Sequence, residues 1–241
     1  MNRIVTMVLK NILFVPWAWL RLCRYARHPE RYSWETMYRH IQMIMHRAVK
    51  GGNIDLIVSG QENIPQDRSF MLYSNHQGMF DPLAVAATCD VPLGVVLKKE
   101  LYNIPFLHQV ALCTKSFAMD REDLRQSLTV IRQVTEELKA GRSYLLFPEG
   151  TRSRRGNEML PFHSGSFRCA LKSGCVIVPV ALVDCFKVLD QKGSKPVSVQ
   201  IHYLAPIAYE EYKDLSTTEL AELVHSRIEE KIRQCLSEEN R

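Results

Sequence analysis

From Gly51 onward, apolar runs rich in β-branched and aromatic residues alternate with segments of helical period. Residues 53–60 ("NIDLIVSG"), 69–74 ("SFMLYS"), "VPLGVVLKK", "SYLLFPEG", "CVIVPVALVD" and "VSVQIHYLAPI" read as strands. Residues 82–88 read as a short helix, 122–140 as the clearest helix, and 216–236 as a charged amphipathic one. In 122–140, Leu124, Leu128, Ile131, Val134 and Leu138 recur at helical spacing; Asp120 is the expected cap and Gly141 the stop. Such alternation predicts an α/β fold, a mixed, largely parallel sheet flanked by helices. Active sites of such sheets gather in loops at the carboxyl ends of strands.

With 241 residues, 46% of them hydrophobic and no internal repeat, the chain suits one domain with an appendage. Residues 1–50 form the expected helical segment and 51–241 the α/β domain. The first fifty residues carry nine Lys/Arg against only Glu30 and Glu35, whereas the whole chain has a net charge of +5. Within "VLKNILFVPWAWLRLC", Lys10 and Arg21 confine the uncharged part to about ten residues, and Pro16 would kink it. A membrane span needs roughly 20 apolar residues. No small-residue cleavage site follows, which argues against a secretory signal.

The pattern fits an amphipathic helix with Val5, Val8, Leu9 and Ile12 on one stripe, and Trp17 and Trp19 at headgroup depth. A second helix is expected after Pro29, with Trp34, Met37, Tyr38, Ile41, Ile44 and Ala48 on one face. Two such basic helices suit a membrane interface; a hairpin packed on the core with a solvated basic face is the bland alternative. The seven cysteines are scattered without a C-x-x-C pair, so neither a disulfide framework nor a metal site is expected. They suit a reducing compartment.

In "YSNHQGMFDPLAVAA", His76 and Asp81 stand five positions apart where a strand gives way to a helix. On one continuous helix they would point about 140° apart and could not meet. They meet only if residues 77–80 turn, which Gly78 favours. Asp81-Pro82 also reads as an N-cap followed by proline, which accounts for Asp81 but not for His76. A carboxylate bonded to one ring nitrogen would leave the other as a base near neutral pH.

"FPEGTRSRRG" follows the strand "SYLL" and resembles an anion site. Arg152 can fork onto phosphate oxygens, with Thr151 and amides around Gly150 as further donors, beside Glu149. Arg154 and Arg155 read as solvated. Lys98 stands at another strand end, and Arg121 at the start of the strong helix, where negative charge is favoured. A base beside these cations suits an acceptor with a phosphate and a nearby hydroxyl.

These blocks resemble the glycerophospholipid acyltransferases that acylate 1-acylglycerol-3-phosphate, through most of residues 55–205. "NHQGMFD" is similar to the family's Asn-His-x4-Asp block, which implies His76 as catalytic base and Asp81 as its partner. "LKKELYNIPF" and "FAMDR" imply acceptor binding at Lys98 and Arg121. "FPEGTRS" implies it at Glu149, Gly150, Thr151 and Arg152. "VPVAL" is the fourth block, where Pro179 would end or bend a strand. The chain departs from the family at His108 and Lys115, where glycines are common, and at His163, where lysine is usual; Gly165 is retained.

The resemblance implies acyl transfer from acyl-CoA or acyl carrier protein to lysophosphatidic acid, with no further cofactor, on the cytoplasmic face of a membrane, peripheral or monotopic. G-x-S-x-G is absent, so Ser74 and Ser164 read as turn residues. "LYNIPFLHQVAL" reads either as lipid-chain surface or as a core helix. Glycerol-3-phosphate or another lysolipid as acceptor, and a lipid-binding protein without catalysis, are the rival readings. Nucleic acid is the weakest, since no helix-turn-helix, RNA-recognition or zinc pattern occurs.

Overall fold

The computed structural model describes residues 2–239. In chain order the elements are α1 (Arg3–Lys10), α2 (Phe14–Arg27), α3 (Trp34–Gly51), β1 (Ile54–Ser59), β2 (Phe70–Ser74), α4 (Asp81–Thr88), β3 (Leu93–Lys98), α5 (Pro105–Thr114) and β4 (Phe117–Met119). Then follow α6 (Leu124–Lys139), β5 (Ser143–Leu146), α7 (Arg168–Ser173), β6 (Val176–Val183), α8 (Phe186–Leu189), β7 (Val197–Tyr203), α9 (Tyr209–Tyr212) and α10 (Thr217–Glu239).

The strands form one seven-stranded sheet in the order β1-β7-β6-β2-β5-β3-β4. Every neighbouring pair is parallel except β6 with β7, so β1 and β7 run against the other five. The sheet is therefore mixed and largely parallel, as the alternation predicts. β2 lies between β5 and β6, and all five of its residues are buried. Period-two alternation sends Met71 and Tyr73 to one face, among side chains of α6, α7 and α10. Phe70 and Leu72 go to the other face, against α4 and α8. Burying each such side chain stabilises the fold by about 1.5–3 kcal/mol, which fixes the register of the strand that carries His76.

Pro179 neither ends nor interrupts β6. It pairs with Tyr73, and the strand runs on to Val183. The missing donor is tolerated because β7 takes up pairing only at Val180, beyond a single bridge from Ile177 to Ile207.

The amino-terminal segment holds three helices rather than the two expected. α1 and α2 meet at 93° across residues 11–13, so the break precedes Pro16, which lies in the first turn of α2. No single helix among the described residues is long and apolar enough to cross a membrane. Of the face of α3 expected at an interface, Met37, Tyr38 and Ile41 are instead buried against α2 and α5 or the sheet, and Trp34, Ile44 and Ala48 are half-buried. α1 is seated by Arg3, which donates to Val188 O (2.9 Å) and Gly52 O (2.6 Å). Its other face leaves Ile4, Val5, Val8, Leu9 and Ile12 exposed, and Leu13, Trp17 and Leu20 continue that surface, Leu13 at 93% exposure.

Two helix starts differ from expectation. Asp123, not Asp120, caps α6, accepting from the amides of Arg125 (2.9 Å) and Gln126 (3.1 Å). Asp120 is drawn off by Lys99. Phe80, not Asp81, is the N-cap of α4, because the Asp81 side chain is used upstream.

His202 of β7 is buried, with Ser59 Oγ 2.7 Å from Nδ1 and Cys235 Sγ 3.3 Å from Nε2. Burial pushes its pKa down to about 4. The folded state therefore resists a proton that the unfolded chain accepts near pH 6.5. His202 should cost no stability above that pH, and on the order of 2–3 kcal/mol as pH falls through 6.5 toward 4. Denaturant titrations across this window should show that slope, and His202→Gln should flatten it.

Candidate active site

β2 stops at Ser74 because the next residue turns inward. Asn75 is buried and clamps β6, accepting from Leu182 N (2.8 Å) and donating to Leu182 O (2.9 Å). The turn that follows brings His76 Nδ1 to 2.7 Å from Asp81 Oδ2. The same oxygen accepts the amides of Gln77 (2.6 Å) and Gly78 (2.9 Å), so the carboxylate organises the turn rather than its own helix. Asp81 is fully buried, and burial raises its pKa despite the His76 ring and the two amides pulling it down. With Asp81 as acceptor, Nδ1 carries the proton and Nε2 the lone pair. Nε2 makes no hydrogen bond among the described residues, and the side chain keeps 14% exposure.

β5, the neighbour of β2, delivers the second block to the same edge. Phe147 stacks on the His76 ring at 4.3 Å between centroids. Glu149 is buried and turned inward: Oε1 accepts His76 N (2.8 Å) and Oε2 accepts Leu160 N (3.2 Å). Burial lifts its pKa to about 7. Ser153 N donates to His76 O (2.8 Å), and Gln77 Nε2 to Asn157 Oδ1 (2.7 Å). The two loops thus fasten each other through main-chain and side-chain groups alike.

Beside them opens a cavity of about 560 Å³. Val96, Met119, Leu124, Leu128, Ile131, Leu146 and Phe147 give it apolar walls. Arg121, Glu149, Gly150, Thr151 and the 163–166 turn form its polar side.

The expected site residues are distributed as follows. His76 and Asp81 touch, and Glu149 joins them through the main chain. Arg121, Gly150 and Thr151 line the cavity with Glu149. Arg121 lies in the loop before α6, not in its first turn. Arg152 follows the lining residue Thr151 but does not itself line the cavity, and its Nη1 pairs with Asp190 Oδ1. Lys98 pairs with Glu100 (3.1 Å) and does not line the cavity. α5, from the "LYNIPFLHQVAL" run, packs on α2 and α3 and does not line it either.

Asn75, Gln77, Asn157 and Asp190 are working parts that the sequence reading passed over; Asn75 was flagged only by standing next to His76. Leu124 and Leu128 share the helical spacing of Ile131, Val134 and Leu138, yet they are 73% and 41% exposed and line the cavity. Among the described residues no group of His, Cys, Asp or Glu is placed to hold a metal ion.

The sheet presents an Asp-oriented histidine at one strand end and a Glu-Gly-Thr-Arg loop at the next, with an apolar cavity alongside: a candidate base next to a pocket with apolar walls. The acyltransferase family model matches residues 55–183, and the chain belongs to that family. It is 30% identical over 181 residues to the 1-acyl-sn-glycerol-3-phosphate acyltransferase of Borreliella burgdorferi, covering 74% of this chain and 72% of that one. To the enzyme of the same name from Escherichia coli it is 32% identical over 160 residues, 66% of this chain and 65% of the relative. The crystal structure of the 1-acyl-sn-glycerophosphate acyltransferase PlsC from Thermotoga maritima shares the fold. Its TM-score is 0.79 at 22% identity, over 97% of this chain and 96% of that one.

Gly150 tests the loop geometry. It has φ +69°, and a Cβ there would lie 2.9 Å from the His163 ring. Gly150→Ala should cost about 1–3 kcal/mol and lower Tm by several degrees with acyl transfer impaired. A melt and activity like the parent's would show that the loop is not held as described.

Proposed function

We propose that the chain moves a fatty acyl group from a thioester to the free hydroxyl of 1-acylglycerol-3-phosphate, giving phosphatidic acid. The observation that carries this is the His76–Asp81 pair at 2.7 Å, with Nε2 unengaged and the ring stacked on Phe147, a wall of the apolar cavity. Nε2 takes the hydroxyl proton as the oxygen attacks the thioester carbonyl. Asp81 steadies the imidazolium that forms. The tetrahedral intermediate then expels the thiolate, which recovers the proton, so no acyl-enzyme forms. The cavity walls take an apolar chain. Arg152 and Arg121 attract the acceptor's phosphate, and holding two substrates in register is itself a large part of the rate. Lys98 joins the two arginines from the end of β3, since its exposed pair with Glu100 is weak and easily exchanged. The donor is acyl-CoA or acyl carrier protein, and a panel of both thioesters tells them apart.

The protein works at the cytoplasmic face of a membrane, lying on it through α1 and α2. Support comes from the exposed apolar surface from Ile4 to Leu20, and from the arginines around it. The seven free cysteines fit a reducing compartment.

His76→Ala should abolish thiol release on mixing thioester with lysophosphatidic acid, roughly 10²-fold or more below the parent, while vesicle binding persists. Near-parental turnover would remove His76 as base. Arg152→Ala should raise the acceptor KM with kcat less affected. Leu13→Asp with Leu20→Asp should reduce sedimentation with anionic vesicles and leave Tm unchanged, since both side chains are exposed; undiminished sedimentation would contradict the interface reading.

A further inference from the structure

Arg152 is not free to meet a phosphate. Its Nη1 donates to Asp190 Oδ1, and the other oxygen of the same carboxylate accepts Met79 N at 2.9 Å. Asp190 follows α8 and is remote in sequence from the His76 and Arg152 loops, yet it touches both of them. Its approach is built in. A Cβ on Gly78 would lie 2.4 Å from Asp190 Oδ2 and 2.9 Å from Phe186 Cα, so only glycine in the His76 turn lets α8 and its carboxylate come this close. The pair is partly open to solvent, each side chain at 29% exposure, so an anion can reach it. The remaining guanidinium nitrogens of Arg152 make no hydrogen bond among the described residues.

We propose that Asp190 is a positioning residue that stands in for the acceptor's phosphate: it holds Arg152 in the loop after β5 and clasps the His76 turn until the phosphate competes for the guanidinium. This deepens, and rests on, the reading of Arg152 as an acceptor contact. The physical basis is charge and fork geometry. A phosphate monoester offers more charge and more acceptor oxygens than one carboxylate, and a guanidinium binds it through two donors. Whether the phosphate takes the free nitrogens or displaces the carboxylate, the Asp190 charge opposes it. Removing that charge therefore strengthens phosphate binding, the opposite of what loss of a merely structural ion pair would do.

The test uses the full chain, with inorganic phosphate as a competitive inhibitor against lysophosphatidic acid. Asp190→Asn keeps an acceptor for Met79 N and removes the charge. Its Ki for phosphate should fall about threefold, the scale of a partly exposed ion pair. In an Arg152→Ala background the same substitution should change nothing. An unchanged or higher Ki in an Asp190→Asn protein that melts like the parent, or an equal fall without Arg152, overturns the proposal. If Arg152→Ala alone leaves both Ki and acceptor KM at parental values, the acceptor role of Arg152 falls and the proposal with it. Asp190→Ala should give a lower kcat than Asp190→Asn, because only alanine leaves Met79 N without its acceptor; equal kcat values overturn the clasp.

Discussion

One buried carboxylate oxygen gathers the site. Asp81 Oδ2 accepts the His76 ring and the amides of Gln77 and Gly78, and those three bonds are what the turn between β2 and α4 is made of. A fully buried carboxylate is costly unless hydrogen-bonded. Here local main chain and the imidazole satisfy Oδ2 while Oδ1 is buried without a partner, so the contacts that orient the base offset only part of the cost of burial. The sheet supplies the rigidity around it. β2 is buried on both faces, and Asn75 pins its end to Leu182, so the ring has little room to move away. Position and tautomer are thereby set before any substrate arrives.

Glu149 shows how a charged side chain in a phosphate-like loop can serve another purpose. Both oxygens face amides, one of them His76 N, and burial brings the carboxyl to about 7. It ties the loop after β5 to the loop after β2 at the place where two adjacent parallel strands end. The apolar cavity begins at Phe147, whose ring also backs the imidazole. Phe147 is therefore a wall that the loop after β5 gives to both the base and the cavity, while His76 itself does not line the cavity.

Much of this was legible in the sequence because it obeys local rules. The long apolar strands, the helical repeat of Leu124–Leu138 and the Gly78 turn each announce themselves through period or backbone freedom. The resemblance to a family located His76, Asp81 and the Glu149–Arg152 loop together. What stayed hidden depends on tertiary contact. The break between α1 and α2 falls at Asn11–Leu13, where no proline marks it. The apolar face of α3 looks like an interfacial helix until α2 and α5 cover it. Leu124 and Leu128 keep the helical spacing of their buried neighbours Ile131, Val134 and Leu138 but line the cavity, a difference that spacing alone does not show. Asp190 had no local signal, since its partners, Arg152 and Met79, come from distant loops.

The account stands on the protonation pattern of a single ring, and nitrogen-15 NMR of histidine-labelled protein near neutral pH reads it directly. The structure predicts His76 protonated on Nδ1 with a bare Nε2, and a loss of that preference in Asp81→Ala. A His76 ring protonated on Nε2 instead, with or without Asp81, would contradict it.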